Sequence, residues 1–321
     1  MIDNRGRNID YLRVSITDRC NLRCTYCMPH GCKSIPHDDV LRFEEFLTLI
    51  NQFARLGIRH IRVTGGEPMV RKGAVEFIAD LKRIPGIETV SMTTNGVMLA
   101  KYADELKAAG LDSVNISLDT PDEALAEKIT GCKGIVTSVN ESIAAMKSRG
   151  ISVKINAVLL RETERTLLDL VKYAENDIPV RFIELMPMGC GNPAEGLPAG
   201  EALAIIKSKY PDLAPVDINI GSGPAHYYGS SALNAPIGMI DAVSHRFCDT
   251  CNRIRLTSTG ILKPCLCFNE HVDLRSLLRS GASEEELRKA IEDGIYNKPR
   301  QHCFDMLENR TEQRLMSQIG G

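Results

Sequence analysis

Between residues 11 and 186 the sequence alternates six times between short apolar runs and longer stretches of helical periodicity. The apolar runs, rich in β-branched residues, cover Tyr11–Thr17, His60–Thr64, Thr89–Thr94, Ser113–Leu118, Ile151–Leu160 and Val180–Met186. Between them, "FEEFLTLINQFARLG", "GAVEFIADLKRI", "LAKYADELKAAG" and "TLLDLVKYAEN" repeat apolar residues three and four apart, the spacing of one helix face. Gly57, Gly110 and Gly150 close helical stretches just ahead of the next strand, where glycine takes the left-handed conformation that ends a helix. Strands joined through helices run parallel with right-handed crossovers. The alternation therefore predicts an α/β fold, either an open doubly wound sheet or a curved partial barrel.

The strand ends favour the barrel. They read Asp18-Arg19-Cys20, Gly65-Gly66-Glu67-Pro68, Thr93-Thr94-Asn95-Gly96, Ser117-Leu118-Asp119 and Glu184-Leu185-Met186. An open sheet concentrates its site at one switch point, whereas a barrel gathers polar groups from the C-terminal ends of many strands. From about residue 187 the alternation stops in the Gly/Pro-rich "PMGCGNPAEGLPAG". We expect a partial (βα)6 TIM-type barrel over residues 1–214 and a C-terminal region over 215–321.

Eleven cysteines occur in 321 residues, and six stand in two compact arrays. Cys20, Cys24 and Cys27 form CxxxCxxC directly after the first strand; Cys248 and Cys251 form CxxC, and Cys265 follows after thirteen intervening residues. Composition alone would produce a fixed three-cysteine spacing in roughly one such chain in a hundred. The N-terminus "MIDNRGRNIDYL" has no apolar leader segment and no window reaches transmembrane length, so we expect a cytoplasmic protein with reduced thiols. The cysteines then read as metal ligands rather than disulfides. A structural zinc site takes four closed ligands, and a cubane [4Fe–4S] cluster normally takes four thiolates. A trio leaves one metal position open for a small molecule. Cys32 is a candidate fourth ligand in the first array and Cys267 a competing third ligand in the second. Beyond that, Cys32, Cys132, Cys190 and Cys303 have no motif role and read as spectators.

The net charge is −2 and the pI near 6.4, so no global field draws in nucleic acid or an anionic membrane. Any anion site is local. Arg253 and Arg255, two apart in a strand, project from one face beside the second array, and guanidinium forks suit phosphate. Arg13, Arg62, Lys154 and Arg181 each interrupt an apolar strand run. A buried unpaired cation costs several kcal/mol, so these four require either carboxylates or an anion. The alternation leaves open which strand face points inward.

CxxxCxxC with Tyr26 before its last cysteine, followed one βα unit later by Gly65-Gly66-Glu67-Pro68, resembles the radical S-adenosylmethionine (SAM) superfamily. "LRVSITDRCNLRCTYCMP", "IRVTGGEP", "TTNG", "NISLDT", "VKINAVL", "RFIELM", "FCDTCNRIRLTSTGILKPCL" and the terminal "IGG" resemble, in order along nearly the whole chain, the GTP 3′,8-cyclase family of molybdenum cofactor biosynthesis. The resemblance implies two [4Fe–4S] clusters, one on Cys20, Cys24 and Cys27 with SAM on its open iron, the other on Cys248, Cys251 and Cys265 with guanine on its open iron. It implies SAM contacts at Tyr26, Gly66, Ser117 and Met186. It implies a GTP site of Arg13, Arg62, Thr93, Lys154, Arg181, Arg253 and Arg255, and a catalytic tail of Gly320 and Gly321 threaded into the site beside Arg253 and Arg255. As partners it implies a flavodoxin- or ferredoxin-type reductant and a downstream cyclic pyranopterin monophosphate synthase, and it leaves a homodimer open. Two other readings compete: a radical SAM enzyme modifying peptides or proteins, and a zinc-stabilised binding protein without catalysis.

Overall fold

The computed structural model describes residues 1–31, 35–269, 271–304, 312 and 314–320. Six βα units build its core: β1 (Tyr11–Ser15), α1 (Phe43–Arg55), β2 (His60–Thr64), α2 (Ala74–Arg83), β3 (Thr89–Thr94), α3 (Ala103–Ala108), β4 (Ser113–Ser117), α4 (Glu123–Thr130), α5 (Ile135–Ser148), β5 (Ser152–Leu159), α6 (Leu167–Glu175) and β6 (Val180–Glu184). After α7 (Ala199–Lys209) come β7 (Ala214–Val216), β8 (His226–Gly229), β9 (Ile237–Ile240), β10 (Arg253–Leu256), β11 (Ile261–Lys263) and β12 (Val272–Asp273). The helices α8 (Leu274–Arg279), α9 (Glu284–Tyr296) and the short α10 (Met316–Ile319) complete the described chain.

Among the described residues the strands form one sheet in the order β12-β11-β10-β1-β2-β3-β4-β5-β6-β9-β8-β7. The pairs from β10 through β1 to β6 and on to β9 are all parallel. The sheet curls, because residues from both of its parallel edges, Arg253 and Arg255 on β10 and Ile240 on β9, line the same cavity. The partial barrel therefore has eight parallel strands where the alternation predicts six. β9 and β10 are four residues long and each follows a loop rather than a crossover helix, so no helical periodicity announces them.

Helix α1 shows why the units form. Phe46, Leu49, Ile50 and Phe53, at helical spacing, are fully buried, each contributing about 1.5–3 kcal/mol by leaving water. Glu45 at its third position accepts from the Arg42 N–H at 2.7 Å, and the Arg279 guanidinium beside it holds its carboxyl down to about 2. Gly57 ends the segment at φ +98°, a conformation costly for any residue with a Cβ.

Register settles which strand face points inward. Arg13 on β1 pairs with Arg62 on β2 and Arg255 on β10, while Asn115 on β4 pairs with Thr93 on β3 and Lys154 on β5. Partners share a face, so the polar side chains stand inside. The intervening Leu12, Val14, Ile61, Val63, Val90, Met92, Val114, Ile116, Val153 and Ile155 are buried on the other face, in the core that includes the helices. Among the described residues no helix is long and apolar enough to cross a membrane.

Candidate active site

The first cysteine array leaves β1 as a loop laid against the loop after β2. The Gly66 N–H donates to the Thr17 carbonyl and the Glu67 N–H to the Arg19 carbonyl, both at 2.8 Å. A Cβ on Gly66 would stand 2.3 Å from the Arg19 oxygen, so only glycine lets the two backbones approach this closely. Glu67 is buried and anchors the next strand end: its carboxylate accepts from Thr94 Oγ1 at 2.8 Å, the Asn95 N–H at 2.7 Å and the Met69 N–H at 3.0 Å. Asn95 reaches back toward Cys20 Sγ at 3.9 Å.

Cys20, Cys24 and Cys27 are partly buried free thiols lining a cavity of about 320 Å³. Burial pushes Cys24 well above the usual thiol range, and Asp119, Cys27 and Cys20 push it further, so the trio is close enough to repel. Tyr26 lines the same cavity and donates its hydroxyl to Asp119 Oδ2 at 2.7 Å; burial raises the Asp119 carboxyl to about 6.

The second array lies at the opposite, N-terminal end of the barrel strands. Asn252 alone separates Cys251 from β10, Cys248 opens the single turn before it, and Cys265 follows β11. Burial pushes Cys251 up, but Arg253 and Lys298 outweigh it and hold the thiol down to about 6. Cys248 is raised by burial, relieved by an N–H from His302 at 3.4 Å, and raised again by Cys265 and Cys251. Cys267 lies close to this array. It is fully buried, its Sγ 2.9 Å from Cys303 Sγ, in a small apolar cluster with Met188, Phe304 and Ile319, against which Cys265 also packs. Cys303, without a motif role in the sequence, is thus its neighbour. Cys32 and Gly321 lie outside the described residues.

Between the arrays the inner strand face is cationic. Arg13, Arg62, Arg181, Arg253 and Arg255 line the cavity together with Thr93, Ser117, Gly66 and Met186. Lys154 sits on the same face beside Gly221 and is itself buried. Two of these cations have neutral partners: Arg62 donates to the Tyr11 hydroxyl and the Met92 carbonyl, and Arg181 to Asn156 Oδ1 at 2.7 and 3.0 Å, whereas Arg253 reaches Cys251 Sγ at 3.8 Å. Burial lowers Lys154 to about 8, and Arg181 and Arg62 add to the drop. Burial also lowers Arg255, to about 10, with Arg253 adding to it. Among the described residues no carboxylate pairs with Arg62, Lys154 or Arg181. Thr93 Oγ1, Asn115 Oδ1 and Ser317 Oγ are buried there without a hydrogen-bond partner. Arg13 and Arg255 both donate to the carbonyl of Gly320, the last described residue, which packs on Ser15 and Thr64.

Thiolates in threes are a soft donor set that suits the irons of an iron–sulfur cube. The trios are clustered and partly buried, yet among the described residues no three Cys, His or carboxylate side chains are placed to hold a single metal ion. A cube spreads its thiolates over separate metal corners. Sequence reasoning missed Tyr11, Asn115 and Asn156, polar residues inside apolar strands that carry the same signal as the four cations. It also missed Lys298, whose ammonium donates to the carbonyls of Arg253 and Pro264 and so ties β10 to the segment bearing Cys265. No short motif marks such a long-range cap.

A parallel partial barrel that opens its strand ends onto three convergent thiols and a Gly-Gly-Glu loop defines a radical SAM protein, and residues 14–174 match the Radical SAM superfamily. Residues 178–304 match Molybdenum Cofactor Synthesis C. The chain is similar to GTP 3′,8-cyclase of Clostridium perfringens strain 13, at 43% identity over 324 residues and all of both chains. To GTP 3′,8-cyclase of Desulforamulus reducens it is 44% identical over 329 residues, again over all of both chains. It belongs to the GTP 3′,8-cyclase family. Among solved structures it resembles Streptococcus suis SuiB, with TM-score 0.63 at 15% identity, covering 91% of this chain and 66% of that one. SuiB bound to S-adenosylmethionine gives 0.62 at 14%, covering 96% and 76%. At these identities the likeness is one of fold.

Proposed function

We propose that this chain is a radical SAM GTP 3′,8-cyclase, joining C3′ of the GTP ribose to C8 of guanine to give (8S)-3′,8-cyclo-7,8-dihydroguanosine 5′-triphosphate in molybdenum cofactor biosynthesis. The observation that carries the reading is one cavity lined by the first thiol trio at one end and Arg253 and Arg255 near the second at the other, with cations between. When bound, the clusters and SAM supply the one-electron homolytic chemistry that removes the ribose 3′ hydrogen.

The protein's own residues bind and orient. Cys20, Cys24 and Cys27 hold the SAM cluster, and Cys248, Cys251 and Cys265 hold the auxiliary cluster. Tyr26, Gly66, Ser117 and Met186 contact SAM, with Tyr26 fixed by Asp119. Arg13, Arg62, Lys154 and Arg181 hold the triphosphate, whose charge is about −3 to −4 because a terminal phosphate has its second pKa near 6. Thr93 brings a buried hydroxyl that lacks a protein partner. Arg253 and Arg255 complete the GTP site, and the C-terminal tail as far as Gly320 covers it and excludes water. Residues 1–214 form the radical SAM unit and 215–321 the auxiliary unit. A flavodoxin- or ferredoxin-type donor supplies electrons, cyclic pyranopterin monophosphate synthase takes the product, and the protein is cytoplasmic.

Anaerobic incubation of the iron-loaded protein with GTP, SAM and dithionite tests the reaction. Both 5′-deoxyadenosine and a cyclised GTP product are expected. Their absence at full iron and sulfide loading refutes it.

A further inference from the structure

Lys263 is the cross-strand partner of Arg255 and, like it, stands on the inner side of the β10–β11 hairpin. It is fully buried, and its ammonium meets the Glu312 carboxylate and donates to the Phe268 carbonyl at 2.6 Å. Arg314 closes the other side of that carboxylate, with Nη2 at 2.8 Å from Oε2 and Nε at 2.9 Å from Oε1; its backbone N–H adds a contact at 2.8 Å. Glu312 is 1% exposed, and its own N–H donates to the Cys267 carbonyl at 3.4 Å.

From this cluster the chain runs straight into the cavity. Leu315 crosses Gly189 so closely that a Cβ on Gly189 would lie 3.2 Å from the Leu315 Cα. Met316 and Ser317 line the cavity, Ile319 is buried beside Met188, and the Gly320 carbonyl is taken by Arg13 and Arg255. Two neighbouring strands thus grip the tail at both ends: Arg255 holds Gly320 and Lys263 holds Glu312. What lies between cannot order itself, because α10 is a single four-residue turn and isolated helices shorter than about 12 residues are marginal.

We propose that Glu312 is a positioning residue for the reaction: clamped between Lys263 and Arg314, it is the latch that keeps the C-terminal tail in the cavity. The proposal rests on the reading that the tail belongs to the site. A carboxylate is needed here because removing one member of a buried ion cluster leaves the other charges uncompensated. In Glu312→Gln two cations face a neutral amide, and the segment relaxes toward solvent.

The test uses the full-length, iron-loaded protein under anaerobic conditions and reads hydrogen exchange of residues 314–320 beside steady-state kinetics. Glu312→Gln is expected to speed exchange in that segment at least tenfold and lower kcat at least tenfold, with iron and sulfide content unchanged. Lys263→Arg preserves the ion pair and is expected to keep tail protection and more than half of kcat. Wild-type exchange in Glu312→Gln, or fast exchange with undiminished kcat, overturns the latch. If Glu312→Gln does not accumulate as folded protein, Arg314→Gln, which keeps the Lys263–Glu312 pair, replaces it. Unchanged exchange in Arg314→Gln overturns the proposal equally, and a several-fold increase supports it. Deleting Gly320 and Gly321 separates the two readings. Full turnover after deletion refutes the tail's place in the site, whereas lost turnover after deletion with an inert Glu312→Gln refutes the latch alone.

Discussion

Raising the pH from 7 to 9 should weaken GTP binding while strengthening the ligand-free fold, through the single side chain of Lys154. Burial, with Arg181 and Arg62 beside it, lowers that ammonium from 10.5 to about 8. The drop corresponds to roughly 3 kcal/mol of disfavour for the charged form. In the unfolded chain the lysine titrates normally. Between pH 8 and 10.5 the unfolded state therefore binds more protons than the folded one, so stability rises with pH across that window. A bound triphosphate reverses the balance, because its charge restores the ammonium. Binding then takes up about 0.1 proton at pH 7, about 0.5 at pH 8 and about 0.9 at pH 9, and Kd rises about tenfold from pH 7 to 9. The terminal phosphate, with its second pKa near 6, is already ionised over most of this range. Anaerobic titration calorimetry with GTP in two buffers of different ionisation enthalpy, without SAM or reductant, reads the uptake directly. Lys154→Met should abolish both the uptake and the rise in Kd. No uptake by the wild type at pH 8, or equal uptake by Lys154→Met, refutes the placement of Lys154 against the triphosphate.

Other perturbations probe the scaffold of the clusters. Gly66→Ala pushes a methyl into the Arg19 carbonyl at 2.3 Å; overpacking of this kind costs about 1–3 kcal/mol or more, so a lower melting temperature and poor retention of the first cluster are expected by calorimetry and iron analysis. Glu67→Gln turns an amide N–H toward one of the three donors that the carboxylate now satisfies. A loss of about 1.5–3 kcal/mol in denaturant unfolding follows, and a change below 0.5 kcal/mol contradicts the buried network. Cys265→Ser should lose the auxiliary cluster and Cys267→Ser should keep it, as counted by iron content and low-temperature spectra of the reduced protein. The opposite pattern would make Cys267 the ligand.

The fold was legible because helix and strand periods are local, and His60–Thr64 and Thr89–Thr94 have the same limits in the sequence runs as in β2 and β3. β9 and β10 were not legible as barrel strands: each pairs with a strand far away in sequence, and four residues carry too few alternations to show a face. The site divides in the same way. The cysteine trios announce themselves by spacing, and Arg13, Arg62, Lys154 and Arg181 by breaking apolar runs. Their common direction depends on register, however, and register is a property of pairs of strands. Arg13 opposite Arg255 and Arg62, with Lys154 opposite Asn115, turns separate anomalies into one cationic wall. Lys263 and Glu312 lie beyond either signal. Forty-nine residues separate them, each is ordinary in its local context, and only the return of the tail to β11 makes a surface-looking glutamate the partner of a lysine with no access to water. A residue whose role comes from the place where a terminus docks leaves no local periodicity or spacing, so the terminal Gly-Gly is legible by resemblance while the buried Lys263–Glu312 pair just before it is not.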